Sequence, residues 1–377
     1  MEPSDEPLEE RTITLRRSPL AGSNPLAAEL VDFLLLTPDG APPQRISLSQ
    51  HPVLIGRTAP ATIVLEGGTV SRRHCEITRQ SGGQIVIADL GSTNGTYVNG
   101  ARIDALVTLS DGDTIAIGAH TLRYHRRTTN ELATTESIER ELEAAVGYVR
   151  AVLPEPITTG PVLADWMYVP SERLGGDILG YQMLDTGTFA AFLLDVAGHG
   201  TAAALHAVTV ANVLRRRLLP GVDPRDPSAV LRGLNRMFPM EQHGELFFTI
   251  WYGVYDIDAR VLNFATGGHH PGYLVPPPPQ QPLWVGTRNP SIGIVPDRDM
   301  AAERVAIPPA STLHLFSDGV FEVIDQQGRQ WGLHDLPALL PNASGSHDPR
   351  RLYETIRAAA QPGPLEDDYS SLVLRFP

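Results

Sequence analysis

Phe189-Ala190-Ala191-Phe192-Leu193-Leu194-Asp195-Val196-Ala197-Gly198-His199-Gly200 sets an apolar run against one carboxylate and ends it in glycines. A run of this length reads as a buried strand, far short of the roughly 20 residues a membrane span needs. Asp195 therefore stands at a strand end, where the glycines let the chain turn and other backbone approach. The arrangement recurs. Leu313-His314-Leu315-Phe316 leads into Ser317-Asp318-Gly319, Gly175-Gly176-Asp177 opens a strand, and Glu366-Asp367-Asp368 precedes one. Strands are predicted over 163–169, 178–184, 188–195, 247–255, 261–265, 313–317 and 370–375, with helices over 201–217, 227–238 and 349–360. Alternation of this kind indicates a mixed α/β domain with sheet and helix layers.

Acidic groups at strand ends can converge on one edge of a sheet. Several convergent carboxylates cannot all stay ionised unpaired, and no lysine is present to neutralise them, because all 30 basic residues are arginine. Oxygen-bound divalent cations, magnesium or manganese, are the natural solution. Two such ions sharing a water would lower its pKa and clamp an in-line displacement at phosphorus. The missing lysine also excludes P-loop, protein-kinase and Schiff-base chemistry.

N-terminal to this region the pattern changes. Residues 137–153 read as a helix with Ser137 as N-cap and Pro154 ending it. Leu142, Val146, Val149 and Leu153 fall at 4-3-4 spacing, with Ile138 four before. That stripe suits packing on the same chain or pairing with a second copy in a homodimer, and the spacing leaves both open. Residues 33–125 are short apolar runs at 33–36, 45–48, 53–55, 63–65, 75–78, 84–89, 96–98, 114–117 and 120–124. Turn signals such as Pro-Asp-Gly, Thr-Asn-Gly and Asp-Gly stand between them, as in an all-β sandwich. Residues 1–32, rich in Pro, Glu and Ser, are expected to form a loose tail.

Arg and acidic residues number 3 against 7 in residues 1–32, 7 against 7 in 33–125 and 20 against 29 in 126–377. The acidic C-terminal region argues against nucleic acid as a partner and suits a site that collects cations. The acidic first ten residues lack the basic start of a secretory signal, no apolar run is membrane-length, and Cys75 is the single cysteine. A cytoplasmic location with no membrane partner is the expectation. Pro276–Pro279 reads as an extended loop insertion.

Taken in order, the C-terminal motifs resemble the SpoIIE-type branch of the PPM metal-dependent protein phosphatases, from about Ile138 onward. Phe247-Phe248-Thr249 with Tyr252-Gly253, Gly267-Gly268-His269-His270-Pro271 and Ser317-Asp318-Gly319-Val320-Phe321-Glu322 add to the resemblance. It implies an α-β-β-α sandwich and hydrolysis of phosphoserine or phosphothreonine in a protein, without a phosphoenzyme and with two divalent cations, manganese or magnesium. By the same resemblance Asp195 bridges both ions and the Val196 carbonyl binds one. Asp318 and Asp367 complete the other shell, and Asp177 acts at the second ion directly or through water. Asp368 is the weaker half of its pair. The chain departs from the family where Gly180 replaces a common acid three residues after Asp177. His199 also follows Asp195 by four residues rather than two, which leaves loop orientation and acid catalysis as its alternatives. His269 is expected to brace a glycine-rich turn.

Gly56-Arg57, Ser71-Arg72-Arg73-His74, Gly91-Ser92-Thr93-Asn94-Gly95-Thr96 and Asn99-Gly100 resemble the forkhead-associated (FHA) family across residues 33–125. A phosphate dianion needs a cationic fork with small hydroxyl and amide donors on loops held by a rigid scaffold. The resemblance implies that Arg57 and Ser71 contact phosphothreonine, Arg72 and Thr93 assist, and Asn94 holds the phosphopeptide backbone, while His74 braces the loop. The expected plan is a tail (1–32), an FHA domain (33–125), a helical linker (126–160) and a phosphatase domain (161–377). The partners implied are a phosphothreonine protein at the FHA domain and a phosphoprotein substrate, in this family commonly a STAS-domain anti-sigma-factor antagonist. A non-catalytic FHA–pseudophosphatase scaffold and a small-molecule phosphohydrolase are the rival readings.

Overall fold

The computed structural model describes residues 29–37, 43–48, 52–340, 348–363 and 365–377. The chain divides into two compact units, Met1–Arg140 and Glu141–Pro377.

The first unit is built from β1 (Leu30–Leu36), β2 (Gln44–Ser47), β3 (Val53–Gly56), β4 (Ile63–Val64), β5 (Cys75–Arg79), β6 (Ile85–Asp89), β7 (Thr96–Val98), β8 (Ala101–Arg102), β9 (Val107–Thr108), β10 (Thr114–Ile117) and β11 (His120–Thr128). Among the described residues they form two sheets, ordered β2-β1-β11-β10-β7-β8 and β4-β3-β5-β6-β9. Fully buried Leu34, Ile55, Ile87, Ile115 and Leu122 fill the core, as alternation along half-buried strands requires. The all-β sandwich expected from the sequence is present.

Its edges differ from expectation. Most of the proposed tail, and the Pro-Asp-Gly turn at 38–40, lie outside the described residues. The tail's last residues do not fit that description, because β1 starts at Leu30 and pairs with β11 through Thr128. Asp32, expected in the tail, is 1% exposed. It accepts hydrogen bonds from Arg79 (2.5 Å), Arg126 (2.7 Å) and the Tyr124 hydroxyl (2.5 Å). That carboxylate is paired on all sides, which is what permits its burial.

The helix α1 (Thr129–Val152) begins eight residues before the predicted start. Glu131 accepts from the Thr128 backbone N–H at 2.7 Å, and the Thr128 hydroxyl accepts from the Glu131 N–H at 3.1 Å. This reciprocal capping box, Thr128-Thr129-Asn130-Glu131, starts the helix in place of Ser137. Counted with the second unit, the helix's C-terminal part packs Leu142, Val146, Val149 and Leu153 on that unit's own core, whereas Ile138 is 59% exposed. The stripe thus has a partner within the chain from Leu142 onward.

The second unit adds β12 (Leu163–Val169), β13 (Asp177–Asp185), β14 (Thr188–Val196), α2 (Thr201–Arg215), α3 (Pro227–Met237), β15 (Phe248–Asp256), β16 (Val261–Gly267), β17 (Gly272–Val275), β18 (Leu283–Val285), β19 (Glu303–Ala306), β20 (Ser311–Phe316), α4 (Pro349–Ala359) and β21 (Tyr369–Phe376). Its two sheets run β12-β21-β20-β17-β18 and β13-β14-β15-β16-β19. Helices α2 and α3 pack on the second sheet and α4 on the first, giving four layers, α-β-β-α. Two Asp-Pro pairs start helices: Asp226 accepts from Ala229 N–H and Asp348 from Arg350 N–H, with proline in the first turn. Among the described residues no helix is long and apolar enough to cross a membrane.

Candidate functional site

One end of the second sandwich gathers the acidic strand ends. Asp195 lies near the end of β14, in register with Asp177 at the start of β13 and with Thr249 on β15. Asp318 opens a single 3₁₀ turn immediately after β20, and Asp367 stands two residues before β21. Asp195, Val196, Asp318 and Asp367 all line one cavity of about 590 Å³, together with Glu172, His199, Thr249 and Glu366. Four of the five residues expected at the metal site therefore line one cavity. The fifth, Asp177, is not among the side chains that line the cavity. It is 1% exposed, and its Oδ2 makes no hydrogen bond to any described residue.

Glycines make the convergence sterically feasible. A Cβ on Gly176 would lie 2.7 Å from the Val196 carbonyl oxygen, one on Gly175 2.1 Å from the Asp368 carboxylate, and one on Gly319 2.3 Å from the Asp368 backbone oxygen. Asp368 is the pin of this assembly. Its carboxylate accepts from Ser171 N–H (2.8 Å), Ser171 Oγ (2.9 Å) and Gly176 N–H (2.7 Å), tying the β12–β13 loop to the start of β21. At Gly180, where an acid was the family expectation, any side chain would require the Phe192 ring to move. A Cβ there would sit 2.4 Å from the Phe192 ring.

Burial and like charge both oppose ionisation of these acids. Asp177 is held well above the usual carboxylate range, first by burial and then by Asp195. Asp195 is raised by burial and by Asp318, Asp367 and Asp368. Asp318 is pushed up to about 6 by burial, with Asp367 and Glu322 adding to it. Burial also raises Asp367. Among the described residues no three such groups already stand close enough to one point to hold an ion. The donor set nevertheless fits one. Three mutually repelling carboxylates and a backbone carbonyl are all-oxygen ligands with a charge deficit that a hard cation removes.

The pairing of Glu172 with His199 is not visible in the sequence. Their side chains, both in the lining of the cavity, approach at 3.2 Å from Glu172 Oε1 to His199 Nδ1. The two residues lie on loops 27 positions apart, and neither loop carries a local signal of the meeting. His269 does not line the cavity. It is 7% exposed, and its Nδ1 contacts the His270 carbonyl at 2.8 Å.

The first unit has its own groove, about 620 Å³, lined by Arg57, Ser71, Arg72, Thr93 and Asn94, all five expected residues, with Thr69 and Arg73 beside them. The loops are fixed by buried bonds. His74, fully buried, accepts from the Ser71 N–H at Nδ1 (3.1 Å), so its Nε2–H donates to the Gly95 carbonyl (3.1 Å). Thr93 N–H donates to Ser71 Oγ (3.1 Å), and the Asn94 amide donates to the Thr69 carbonyl (2.8 Å). Asp89 accepts from Gly91 and Ser92 N–H and from the hydroxyls of Ser92 and Thr96. A Cβ on Gly56 would lie 2.2 Å from the Arg72 carbonyl oxygen, so the loop crosses where only glycine fits.

Comparison with known proteins agrees with both halves. The family model for Stage II sporulation protein E (SpoIIE) matches residues 185–377, and that for the FHA domain matches 53–118. The first match begins beyond Asp177. The phosphoserine phosphatase RsbP of Bacillus subtilis is 29% identical over 185 residues, 49% of this chain and 46% of that protein. The FHA domain-containing protein FhaB of Mycobacterium tuberculosis is 38% identical over 86 residues, 23% of this chain and 55% of that protein. The chain thus spans about half the length of these curated relatives. The SiaA-PP2C domain of Pseudomonas aeruginosa superposes with a TM-score of 0.56 at 21% identity, covering 65% of this chain and 99% of that domain. This likeness establishes the fold of the second unit.

Proposed function

Because this chain belongs to the SpoIIE family and carries an FHA domain ahead of the matched segment, we propose that it is a metal-dependent protein serine/threonine phosphatase recruited or regulated through phosphothreonine. The observation that carries the reading is the presence of Asp195, Val196, Asp318 and Asp367 in the lining of one open cavity. Asp195, Asp318, Asp367 and the Val196 carbonyl would hold two divalent cations, manganese or magnesium, with Asp177 supporting them from behind Asp195. Such ions, when bound, supply Lewis acidity and an activated water for displacement at phosphorus.

The chain's own residues do the rest. The glycines at 175, 176 and 319 bring three loops to the same wall, and Asp368 fixes two of them. An open cavity walled by loops suits a phosphorylated segment of another protein. In the FHA domain, Arg57 and Ser71 would take the phosphate of a phosphothreonine, with Arg72 and Thr93 assisting, a planar cationic fork and hydroxyls on braced loops. Asn94 would contact the bound backbone through its remaining carbonyl oxygen. The substrate we favour is a regulatory phosphoprotein such as an anti-sigma-factor antagonist.

A substrate panel tests the reading. With manganese, the full chain should hydrolyse phosphoserine and phosphothreonine peptides and act poorly on nucleotides. Preference for nucleotides would make it a small-molecule phosphohydrolase, and inertness toward all substrates would leave a scaffold.

A further inference from the structure

A phosphoryl group brings charge spread over its non-bridging oxygens, and each of these oxygens must meet a cation or a hydrogen-bond donor. Beyond what cations held by its carboxylates would supply, the candidate cavity offers few partners. Among the described residues that line it none is arginine, and the chain has no lysine. Its carboxyl groups apart, only Ser171, His199 and Thr249 have a side-chain proton to give. The Ser171 hydroxyl gives its own to Asp368, at 2.9 Å. His199 stands on a loop, 74% exposed, with Nδ1 3.2 Å from Glu172 Oε1. Thr249 differs from both. It is carried by strand β15, and its hydroxyl makes no hydrogen bond to any described residue.

Thr249 is the direct cross-strand partner of Asp195 on one side, as Asp177 is on the other. Directly opposite residues of an antiparallel pair project to the same face, with Cβ atoms about 4.5–5.5 Å apart. The Thr249 hydroxyl is therefore a neighbour of the Asp195 carboxylate, and both residues line the cavity. The strand fixes it there. Phe248 and Ile250, on either side, are fully buried, and Phe248 exchanges two backbone hydrogen bonds with Ile292, at 3.2 and 2.9 Å. A β-branched side chain on such a strand has little rotamer freedom. We propose that Thr249 is a catalytic residue whose hydroxyl donates a hydrogen bond to a non-bridging oxygen of the substrate's phosphoryl group. The assignment rests on the phosphatase reading above. The hydroxyl keeps its proton throughout. It offsets charge on that oxygen while phosphorus passes from the seryl or threonyl oxygen to the water oxygen, and the phosphate product keeps the contact until it leaves.

The test uses the full-length chain with manganese, a phosphoserine peptide as substrate and inorganic phosphate as inhibitor. Thr249→Val keeps the side chain's shape and strand preference but removes the hydroxyl, whereas Thr249→Ser keeps the hydroxyl. Thr249→Val should lower kcat/KM at least about tenfold and weaken inhibition by inorganic phosphate by a similar factor. Thr249→Ser should restore both. Stabilisation by manganese alone, read from tryptophan fluorescence in urea, should match wild type in both variants. Undiminished phosphate inhibition in Thr249→Val overturns the inference, and so does an equal loss in Thr249→Ser, which would point to the methyl group. A fall in manganese stabilisation that accompanies the lost activity also overturns it, because the hydroxyl would then act through the cation site. A wild-type chain inert on every substrate overturns the phosphatase reading and the catalytic role with it. An active wild type whose phosphate inhibition Thr249→Val shares in full overturns the inference alone.

Discussion

Asp177 and Asp195 stand directly opposite each other on neighbouring antiparallel strands, one buried and one on the cavity wall. Two carboxylates in that register repel, and burial makes each harder to ionise. Asp177→Asn keeps the shape and removes one charge. Without metal, the variant should be more stable than wild type by about 1–2 kcal/mol in urea unfolding. Its stabilisation by added manganese should be smaller. All four tryptophans lie beyond residue 160, so their fluorescence follows this domain alone.

Asp368 offers a complementary case, a carboxylate whose hydrogen bonds tie the Ser171 loop to the start of β21. Asp368→Ala strands the buried Gly176 N–H and frees the Ser171 loop, and should cost about 1–3 kcal/mol by the same fluorescence measurement. Activity should fall further than stability explains, because the Glu172 loop loses its anchor.

The FHA groove separates binding from bracing. Arg57→Ala should weaken phosphothreonine-peptide binding at least tenfold in titration calorimetry, with hydrolysis of a small aryl phosphate intact. His74→Ala should weaken binding too, but with a lowered melting temperature, since it leaves the Ser71 N–H and Gly95 carbonyl unpaired inside the fold.

Two buried histidines oppose protonation of the second domain, whereas its raised site carboxylates favour it. Burial pushes His269 down to about 4, and burial together with His269 drives His270 well below its ordinary value. At these histidines the unfolded chain binds protons that the native one refuses, so their contribution to stability is full above about 6.5 and declines as pH falls toward 4. Between pH 7 and pH 5 these two histidines should account for a difference of about 2 kcal/mol each in urea titrations, set against the opposite contribution of Asp195 and Asp318. His270→Phe, which keeps the ring packing against Phe316, should reduce the difference.

Much of the molecule is legible in the sequence because its strands are long and apolar. Leu163–Val169 has the bounds its pattern implies, and the helices at Pro227 and Pro349 start where Asp-Pro places them. The strands that escape notice are all short: Ala101–Arg102 and Val107–Thr108 have two residues each, and Gly272–Val275, Leu283–Val285 and Glu303–Ala306 have three or four and are bordered by proline or charge. The α1 start was obscured by a Thr/Asn stretch that resembles a turn, although Thr128 and Glu131 carry the capping spacing. The acids of the site are legible as residues at strand ends, but their division of labour is not. That Asp177 is buried against Asp195, that Asp368 pins a loop, and that Glu172 meets His199 all depend on contacts between segments distant in sequence.

If Asp195 and Asp318 hold the metal of a phosphatase site, Asp195→Ala and Asp318→Ala should each abolish manganese-dependent hydrolysis of a phosphoserine peptide. Both variants should stay folded, lose manganese stabilisation and fall by at least about 1,000-fold in kcat/KM. Retained manganese-dependent turnover in either variant would contradict that assignment.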